Sequence, residues 1–290
     1  YGFDTVMLKL IMDRQTPHQI RLAQQNKGQR IIIDIDDYFD GLTPANKAYG
    51  LTDPESNKKF NRDYYKESIH HADIITVSTP FLKDHYSQIH DNVVMIRNGV
   101  NAHQFRPRIQ RPGKPVIGWA GSTAFRNNDL EQLREWLPDL LEKHDLTFHH
   151  AGAGDQSIHE IIGIPKTRLT TSPLCPIDKY PSALKFDIGL VPLNDIPFNH
   201  AKSNIKGLEY AAAGIPFIAS DLPEYRLLHE DGAGTLASTP QQWTLAVERL
   251  LDHRERKKDA YRACMAVLKA WTIECRASEW NQLLSGASSG

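Results

Sequence analysis

Short apolar runs rich in β-branched residues alternate along the chain with longer segments in which apolar and polar residues recur at helical spacing. The runs predict strands and the segments predict helices. The predicted strands are Thr5–Leu10, Arg30–Ile35, Ile74–Val77, Val93–Ile96, Val116–Trp119, Thr147–Ala151, Ile188–Pro192 and Phe217–Ala219. The predicted helices lie near 17–27, 56–71, 80–89, 128–143, 155–162, 179–185, 203–213, 223–229, 240–252 and 255–270. This alternation is typical of an α/β protein with parallel sheets covered by helices.

Both periodicities stop between residues 98 and 115, where proline and glycine concentrate. This stretch predicts a linker between two Rossmann-like lobes, 1–108 and 109–270. The remaining residues, 271–290, predict a last helix and a flexible tail, and the helix either caps the second lobe or crosses back to the first. Since ligands of open parallel sheets bind beyond the carboxyl ends of the strands, we expect a site between the lobes.

Composition narrows the class of protein. The chain has 290 residues, of which 40% are hydrophobic and 24% charged, as in an ordinary globular protein. A net charge of −1 makes a nucleic-acid partner unlikely by composition. The apolar runs are too short to span a bilayer, so only peripheral membrane contact is compatible with them. Three widely spaced cysteines form neither a disulfide framework nor a metal motif, which favours a cytoplasmic location.

The strongest site signal is a polar loop that leads into an alanine-rich helix ending at Gly214. Free amides at the start of such a helix attract phosphate, and Lys202 and Lys206 add positive charge. Glu209 follows inside the helix, where a carboxylate can accept two hydrogen bonds from a vicinal diol such as a ribose. An ordinary solvated helix explains the same spacing equally well.

Two weaker signals follow predicted strands. After Val116–Trp119, Gly121 allows a ligand to approach the backbone, Arg126 could clamp a diphosphate, and residues 127–129 predict a helix cap. After Arg30–Ile35, Asp36 and Asp37 form a carboxylate pair. This pair is open to three interpretations: a divalent metal site, an aspartate that orients or deprotonates a hydroxyl, and a helix cap at a strand end.

Several of these segments together resemble one enzyme family. The segment Lys202-Ser203-Asn204-Ile205-Lys206, followed by Leu208-Glu209-Tyr210-Ala211-Ala212 and Gly214-Ile215-Pro216, resembles the donor-binding motif of GT-B fold glycosyltransferases. It is most similar to the retaining family four, often called "group 1". Residues 72–78 with Leu82, 98–101 with Phe105 and Pro107, and 187–193 are similar to three further segments of that family, in the same order.

The resemblance implies a glycosyltransferase that moves a sugar from a nucleotide diphosphate-sugar to an acceptor hydroxyl. By position, Glu209 holds the ribose, while Ser203, Asn204 and Ile205 form the helix start beside the diphosphate. The turn with Gly121, Ser122 and Arg126 also faces phosphate, and Lys202 or Lys206 compensates for a basic residue that Ser122 replaces. The resemblance further implies retention of configuration, no metal and no cofactor besides the donor, whose nucleotide (UDP, GDP or dTDP) stays undetermined. The acceptor is a glycan, a lipid-linked glycan, a protein or a small molecule.

Two positions depart from the family pattern. The family usually has a glutamate eight residues before Glu209, where this chain has Ala201, and His-Asp where this chain has Asp36-Asp37. We therefore expect Asp36 or Asp37 to contact the acceptor or the donor sugar.

Three questions about the whole chain stay open at this point. The first lobe has about four predicted strands, so we expect either elements before Tyr1 or a minimal acceptor lobe. A non-catalytic protein that binds sugar nucleotides or a partner is the main rival function, and Ala201 favours it. A nicotinamide dehydrogenase is disfavoured, because the Gly-x-Gly-x-x-Gly that it needs after the first strand is absent.

Overall fold

The computed structural model describes residues 3–9, 11–52, 62–124, 126–154 and 157–285. The chain divides into two compact units. The first comprises Tyr1–Asn98, His200–Ser203 and Arg276–Gly290, and the second comprises Gly99–Asn199 and Asn204–Cys275. Leu10, part of the helices predicted at 56–71 and 155–162, and the predicted tail after residue 285 lie outside the described residues.

The first unit contains a four-stranded parallel sheet in the order β1-β2-β3-β4. Its apolar core includes Ile31, Ile33 and Ile35 of β2 and Ile75 and Val77 of β3, which alternate along the strands and so share one face. The elements are β1 (Thr5–Leu8), α1 (Thr16–Lys27), β2 (Arg30–Ile35), α2 (Ala48–Thr52), α3 (Arg62–His71), β3 (Ile74–Val77), α4 (Pro80–Tyr86) and β4 (Val93–Met95), with a 3-10 turn at Phe39–Gly41.

The second unit contains a six-stranded parallel sheet in the order β10-β9-β8-β5-β6-β7. Two apolar cores lie on its faces, one including α9 and α12 and the other including α5 and α11. The elements are β5 (Val116–Ala120), α5 (Leu137–Lys143), β6 (Thr147–Ala151), α6 (Ile158–Ile162), β7 (Leu169–Ser172), α7 (Tyr180–Ala183), β8 (Ile188–Val191), α8 (Pro197–His200), α9 (Ile205–Ala212), β9 (Phe217–Ser220), α10 (Pro223–Glu230), β10 (Thr235–Ala237), α11 (Pro240–Leu251) and α12 (His253–Ala270). The last helix, α13 (Ile273–Ser285), begins in the second unit and continues in the first.

The predicted fold class, an α/β protein with two parallel sheets, is confirmed. The eight predicted strands are present within one or two residues at each end, among the residues described. Two strands, β7 and β10, were not predicted. Both are edge strands of three or four residues, paired on one side only, so their sequences lack the continuous apolar run of a buried strand.

The helix predicted at 128–143 is two pieces, a 3-10 helix at Glu131–Glu135 and then α5. Pro138, in the first turn of α5, has no N–H to donate to the preceding turn. The helix is therefore interrupted at Trp136, and α5 begins at the next residue. The predicted cap at 127–129 is also wrong. Asn128 has a φ of 59°, and Asp129 Oδ1 instead accepts hydrogen bonds from the Asn194 N–H (2.9 Å) and Asn199 Nδ2 (2.7 Å).

The C-terminal helices also differ from their predicted limits. Helix α12 begins at His253 because the Asp252 carboxylate accepts hydrogen bonds from the amides of Arg254 and Glu255. From Arg276 onward, α13 belongs to the first unit, where Arg30 Nη2 donates to the Leu283 carbonyl oxygen at 2.5 Å. Within the described ranges, every helix is too short or too polar to pass through a bilayer.

Candidate functional site

Helix α9 of the second unit ends as its sequence predicts, but it begins at Ile205, two residues after the predicted start near 203. Gly214, with a φ of +70°, ends the helix, and the N–H of Ile215 donates to the Tyr210 carbonyl oxygen. Gly207 lets the helix approach β9, since a Cβ there would lie 2.9 Å from the Phe217 ring. Asn204 stands at the N-cap, but its side chain donates to the Glu224 carbonyl oxygen instead of capping. The Asn204 side chain therefore makes no hydrogen bond to the first amides of α9, and the Gly207 amide donates a hydrogen bond to the Tyr225 hydroxyl.

The turns that follow β5 and β6 are joined to each other. The Gly121 N–H donates to the Ala151 carbonyl oxygen, and the Thr123 N–H donates to that of Ala153. Gly152 has a φ of +150°, and a Cβ there would lie 2.1 Å from the Gly121 carbonyl oxygen. Only glycine tolerates both the conformation and the contact. Gly121, a predicted site residue, is thus held in a turn at the carboxyl end of the central strand.

Two cations lie near one indole ring at this turn. The Arg126 guanidinium carbon is 5.2 Å, and Lys206 Nζ 5.4 Å, from the centre of the buried Trp119 ring. Lys206 Nζ also donates to the Ala120 carbonyl oxygen, and Arg126 Nε donates to that of Ser122 at 3.2 Å. The fold therefore brings Lys206 to the turn that contains Ser122 and Arg126, although Lys206 follows Arg126 by 80 residues in the chain.

A histidine not singled out in the sequence supports this platform. The His150 ring stacks on Trp119, with centroids 5.2 Å apart, and its Nε2 lies 2.9 Å from the Gly121 carbonyl oxygen. A carbonyl can only accept, so His150 carries its proton on Nε2. Burial lowers the pKa of His150, and the Lys206 charge lowers it further, against the bond to Gly121. The ring is therefore favoured in its neutral form.

Glu209 lies three residues after Lys206 on α9. Its Oε2 accepts a hydrogen bond of 2.9 Å from the Tyr180 hydroxyl, while no hydrogen bond from the described residues reaches Oε1. Burial raises the pKa of the Glu209 carboxyl, and the Lys206 charge and the Tyr180 hydrogen bond oppose that rise. The next residue, Tyr210, accepts a hydrogen bond from the Ala120 N–H at 2.8 Å and so ties α9 to β5. Trp119 and Tyr180 also gave no sequence signal, because their roles depend on residues far along the chain.

The two residues before Asn204 belong to the first unit. Lys202 Nζ lies 3.2 Å from Asp37 Oδ1, and Ser203 Oγ accepts a hydrogen bond of 2.8 Å from Asn98 Nδ2. Ile205 opens α9 and packs, partly buried, against the core of the second unit. Two lysines were predicted to supply positive charge beside Arg126. Lys206 lies beside the same indole ring as Arg126, whereas Lys202 pairs with Asp37.

The Asp36-Asp37 pair follows β2 in the first unit. Lys9 Nζ lies 3.3 Å from Asp36 Oδ2 and 3.1 Å from Asp34 Oδ2. Neither Asp36 nor Asp37 caps a helix, since Tyr38 precedes the 3-10 turn, so the capping interpretation is wrong. In the described part of the chain, His, Cys, Asp and Glu side chains form no group of three or more that could hold a metal ion. A catalytic role for these aspartates stays a prediction.

Ala201, which stands where the family usually has glutamate, is fully buried in the core of the first unit. Its carbonyl oxygen accepts a hydrogen bond of 3.0 Å from the buried Thr79 hydroxyl. The position is therefore apolar.

We expect Ala201→Glu to lower the free energy of unfolding by about 3 kcal/mol or more, because it buries a carboxylate without a prepared partner. Ala270→Glu, at an exposed position, is the control and should change it by less than about 1 kcal/mol. Denaturant titration of both variants measures the difference. Equal stabilities would contradict an apolar role for position 201.

Residues 114–253 match the family described as "Glycosyl transferases group 1". A Bacillus subtilis (strain 168) protein named "Putative teichuronic acid biosynthesis glycosyltransferase TuaH" is 28% identical over 171 residues, covering 53% of this chain. This chain spans only 42% of the length of that relative.

Solved structures share the fold. A sucrose-phosphate synthase from Thermosynechococcus elongatus matches 99% of this chain and 75% of its own, with a TM-score of 0.69 and 17% identity. Anabaena HepE, solved in complex with UDP and glucose, matches 98% of this chain and 78% of its own, with a TM-score of 0.67 and 13% identity. The chain therefore has the GT-B fold, and its residues 114–253 form a domain of the group 1 glycosyl transferases.

Proposed function

We propose that this protein is a glycosyltransferase that moves a sugar from a nucleotide diphosphate-sugar to an acceptor hydroxyl. One observation carries the proposal: Arg126 and Lys206 both lie beside Trp119 at the end of β5, with Glu209 one helical turn beyond Lys206. The two cations suit the anionic diphosphate, and the carboxylate that follows them suits the neutral hydroxyl groups of the ribose.

Each group in this arrangement has a distinct task in the proposed complex. Arg126 and Lys206 neutralise the diphosphate, helped by the amides at the start of α9. Glu209 accepts hydrogen bonds from the ribose hydroxyls through its oxygen Oε1, while Tyr180 holds Oε2 in place.

The same cations stabilise the leaving group of the proposed reaction. When the bond between the sugar and the diphosphate breaks, negative charge grows on the phosphate, and Arg126 and Lys206 stabilise it without a metal. In the retaining reaction that we propose, the acceptor oxygen attacks from the face that the phosphate leaves. The phosphate takes the acceptor proton, so the products are a glycoside and a nucleoside diphosphate.

Features of the relatives guide the choice of donor and acceptor. HepE was solved with UDP and glucose, so uridine diphosphate sugars are the first donors to test. The Bacillus relative is named for teichuronic acid biosynthesis, which makes glycans and lipid-linked glycans the first acceptors. Three scattered cysteines support our proposal of a cytoplasmic location.

A binding protein without turnover is the alternative function, and Ala201 favours it. At this position the family usually supplies a carboxylate to the donor sugar, and here a buried methyl group takes its place. The two functions share the nucleotide site and differ only in catalysis.

Thermal-shift and calorimetric titration with UDP, GDP, dTDP and ADP, followed by incubation with the sugar forms, tests the proposal. We expect one nucleotide to raise the melting temperature by mass action, and Glu209→Gln to weaken its binding about tenfold or more. Glu230→Gln, an exposed glutamate at the end of α10, is the matched control and should bind as the parent does.

Release of the nucleoside diphosphate from the donor separates the two functions. Binding with release supports the transferase, and binding without release with any acceptor supports the alternative. Absence of binding to all four nucleotides, or equal binding by Glu209→Gln and the parent, would overturn the proposed site.

A further inference from the structure

The exposed side of α12 in the second unit carries only basic and apolar side chains. Helix α12 has 18 residues, and its buried side, with Ala260, Ala263 and Val267, packs in the core of that unit. We call the opposite side the outer face. Its basic residues are Arg254, Lys257, Lys258, Arg262 and Lys269, and its apolar residues are Tyr261, Met265 and Leu268.

Helical geometry places the three apolar residues in the middle of this face. At 3.6 residues per turn, the eight side chains fall within an arc of about 140°, along a helix about 27 Å long. The exposed fractions of Tyr261, Met265 and Leu268 are 70%, 49% and 38%. A helix face that only meets water has no need of a central apolar row.

Acidic neighbours neutralise only one of the five charges on the outer face, that of Arg262, among the described residues. Glu255 and Asp259, the acidic residues of α12, lie outside the arc, and both pair with Arg249. Arg262 contacts Asp259 Oδ1 at 3.2 Å. For Arg254, Lys257, Lys258 and Lys269, the described residues provide no ion pair. In a chain of net charge −1, this is a local concentration of positive charge.

We propose that the outer face of α12 docks on the surface of an anionic lipid bilayer. The basic side chains contact the headgroups, and Tyr261, Met265 and Leu268 enter the boundary between headgroups and acyl chains. Basic residues flanking an apolar row are typical of a helix that lies in the plane of a membrane interface. Nucleic acid also attracts lysine and arginine, but its phosphate backbone would not bury Tyr261, Met265 and Leu268.

Vesicle flotation with the full chain tests the proposal. We expect binding to vesicles of phosphatidylcholine with 30% phosphatidylglycerol at 50 mM NaCl, loss of binding at 500 mM NaCl, and none to pure phosphatidylcholine. Lys257→Glu/Lys258→Glu should reduce the bound fraction at least about tenfold. The control, Lys66→Glu/Lys166→Glu, makes the same change in net charge at exposed lysines on other elements and should bind as the parent does.

A second variant separates insertion from simple charge attraction. Met265→Ser/Leu268→Ser keeps every charge and is expected to weaken binding several-fold at 150 mM NaCl. Circular dichroism melts check that all variants fold. No binding to anionic vesicles, equal loss in both charge variants, or unchanged binding by the serine variant would each overturn the proposal. So would binding of a single-stranded oligonucleotide in place of vesicles. None of these outcomes depends on nucleotide binding or turnover.

Discussion

Replacing Lys206 by methionine is expected to reduce donor turnover about a hundredfold or more. Lys206 Nζ lies beside Trp119 together with Arg126, where the proposed diphosphate gains charge as the sugar leaves. Loss of one such stabilising group at a transition state commonly costs two to three orders of magnitude in kcat. Methionine keeps most of the length of the side chain, so the change removes the charge and the hydrogen bond to the Ala120 carbonyl oxygen.

Steady-state kinetics with the donor identified by nucleotide binding measures this effect. Lys166→Met, an exposed lysine in a 3-10 turn, is the control and should leave kcat unchanged. Lys206→Arg, which keeps the charge, should retain more activity than Lys206→Met. If Lys206→Met folds and turns over donor as the parent does, the diphosphate does not lie beside Lys206.

Replacing Gly152 by alanine is expected to lower the free energy of unfolding by about 3 kcal/mol or more. Two costs add at this position. A φ of +150° is strained for any residue with a Cβ, and the added Cβ would lie 2.1 Å from the Gly121 carbonyl oxygen and 3.2 Å from His150 Nε2. Because the turn containing Gly121 must shift, we expect nucleotide affinity to fall as well.

Gly113→Ala separates the two costs. Gly113 has a φ of +110°, but its Cβ would have no neighbour within 4 Å, so this variant carries the strain without the clash. Denaturant titration should therefore show a smaller loss of stability for Gly113→Ala than for Gly152→Ala, with nucleotide affinity unchanged. Equal losses in the two variants would mean that the contact between Gly152 and Gly121 has no structural role.

The candidate site could be predicted from sequence only in part. The segment from Lys202 to Pro216 predicted α9 and its terminating glycine from local pattern, and it marked Lys206 and Glu209 as candidate site residues. Arg126 was predicted from its turn, but its position beside Lys206 was not, since 80 residues and three further strands separate them in the chain. Trp119, His150 and Tyr180 carried no local signal.

Local sequence pattern also left the role of Asp36 and Asp37, which follow β2, undecided. Three interpretations were compatible with Asp36-Asp37, and the sequence offered no means to choose among them. The structure removes the capping interpretation, because the chain passes through Tyr38 before the 3-10 turn starts. It also pairs Asp36 with Lys9 and Asp37 with Lys202, and these lysines lie far from the aspartates in the chain.

Local sequence pattern predicted the α/β class, the eight strands with continuous apolar runs, and the family that residues 114–253 match. These depend on spacing between neighbouring residues, which local burial and helix geometry impose directly. The tertiary structure alone decided the edge strands β7 and β10, the division of the Lys202–Lys206 segment between two units, and the placement of Arg126 and Lys206 beside one indole. These depend on contacts between distant segments, and such contacts exist only after the sheet has ordered its strands.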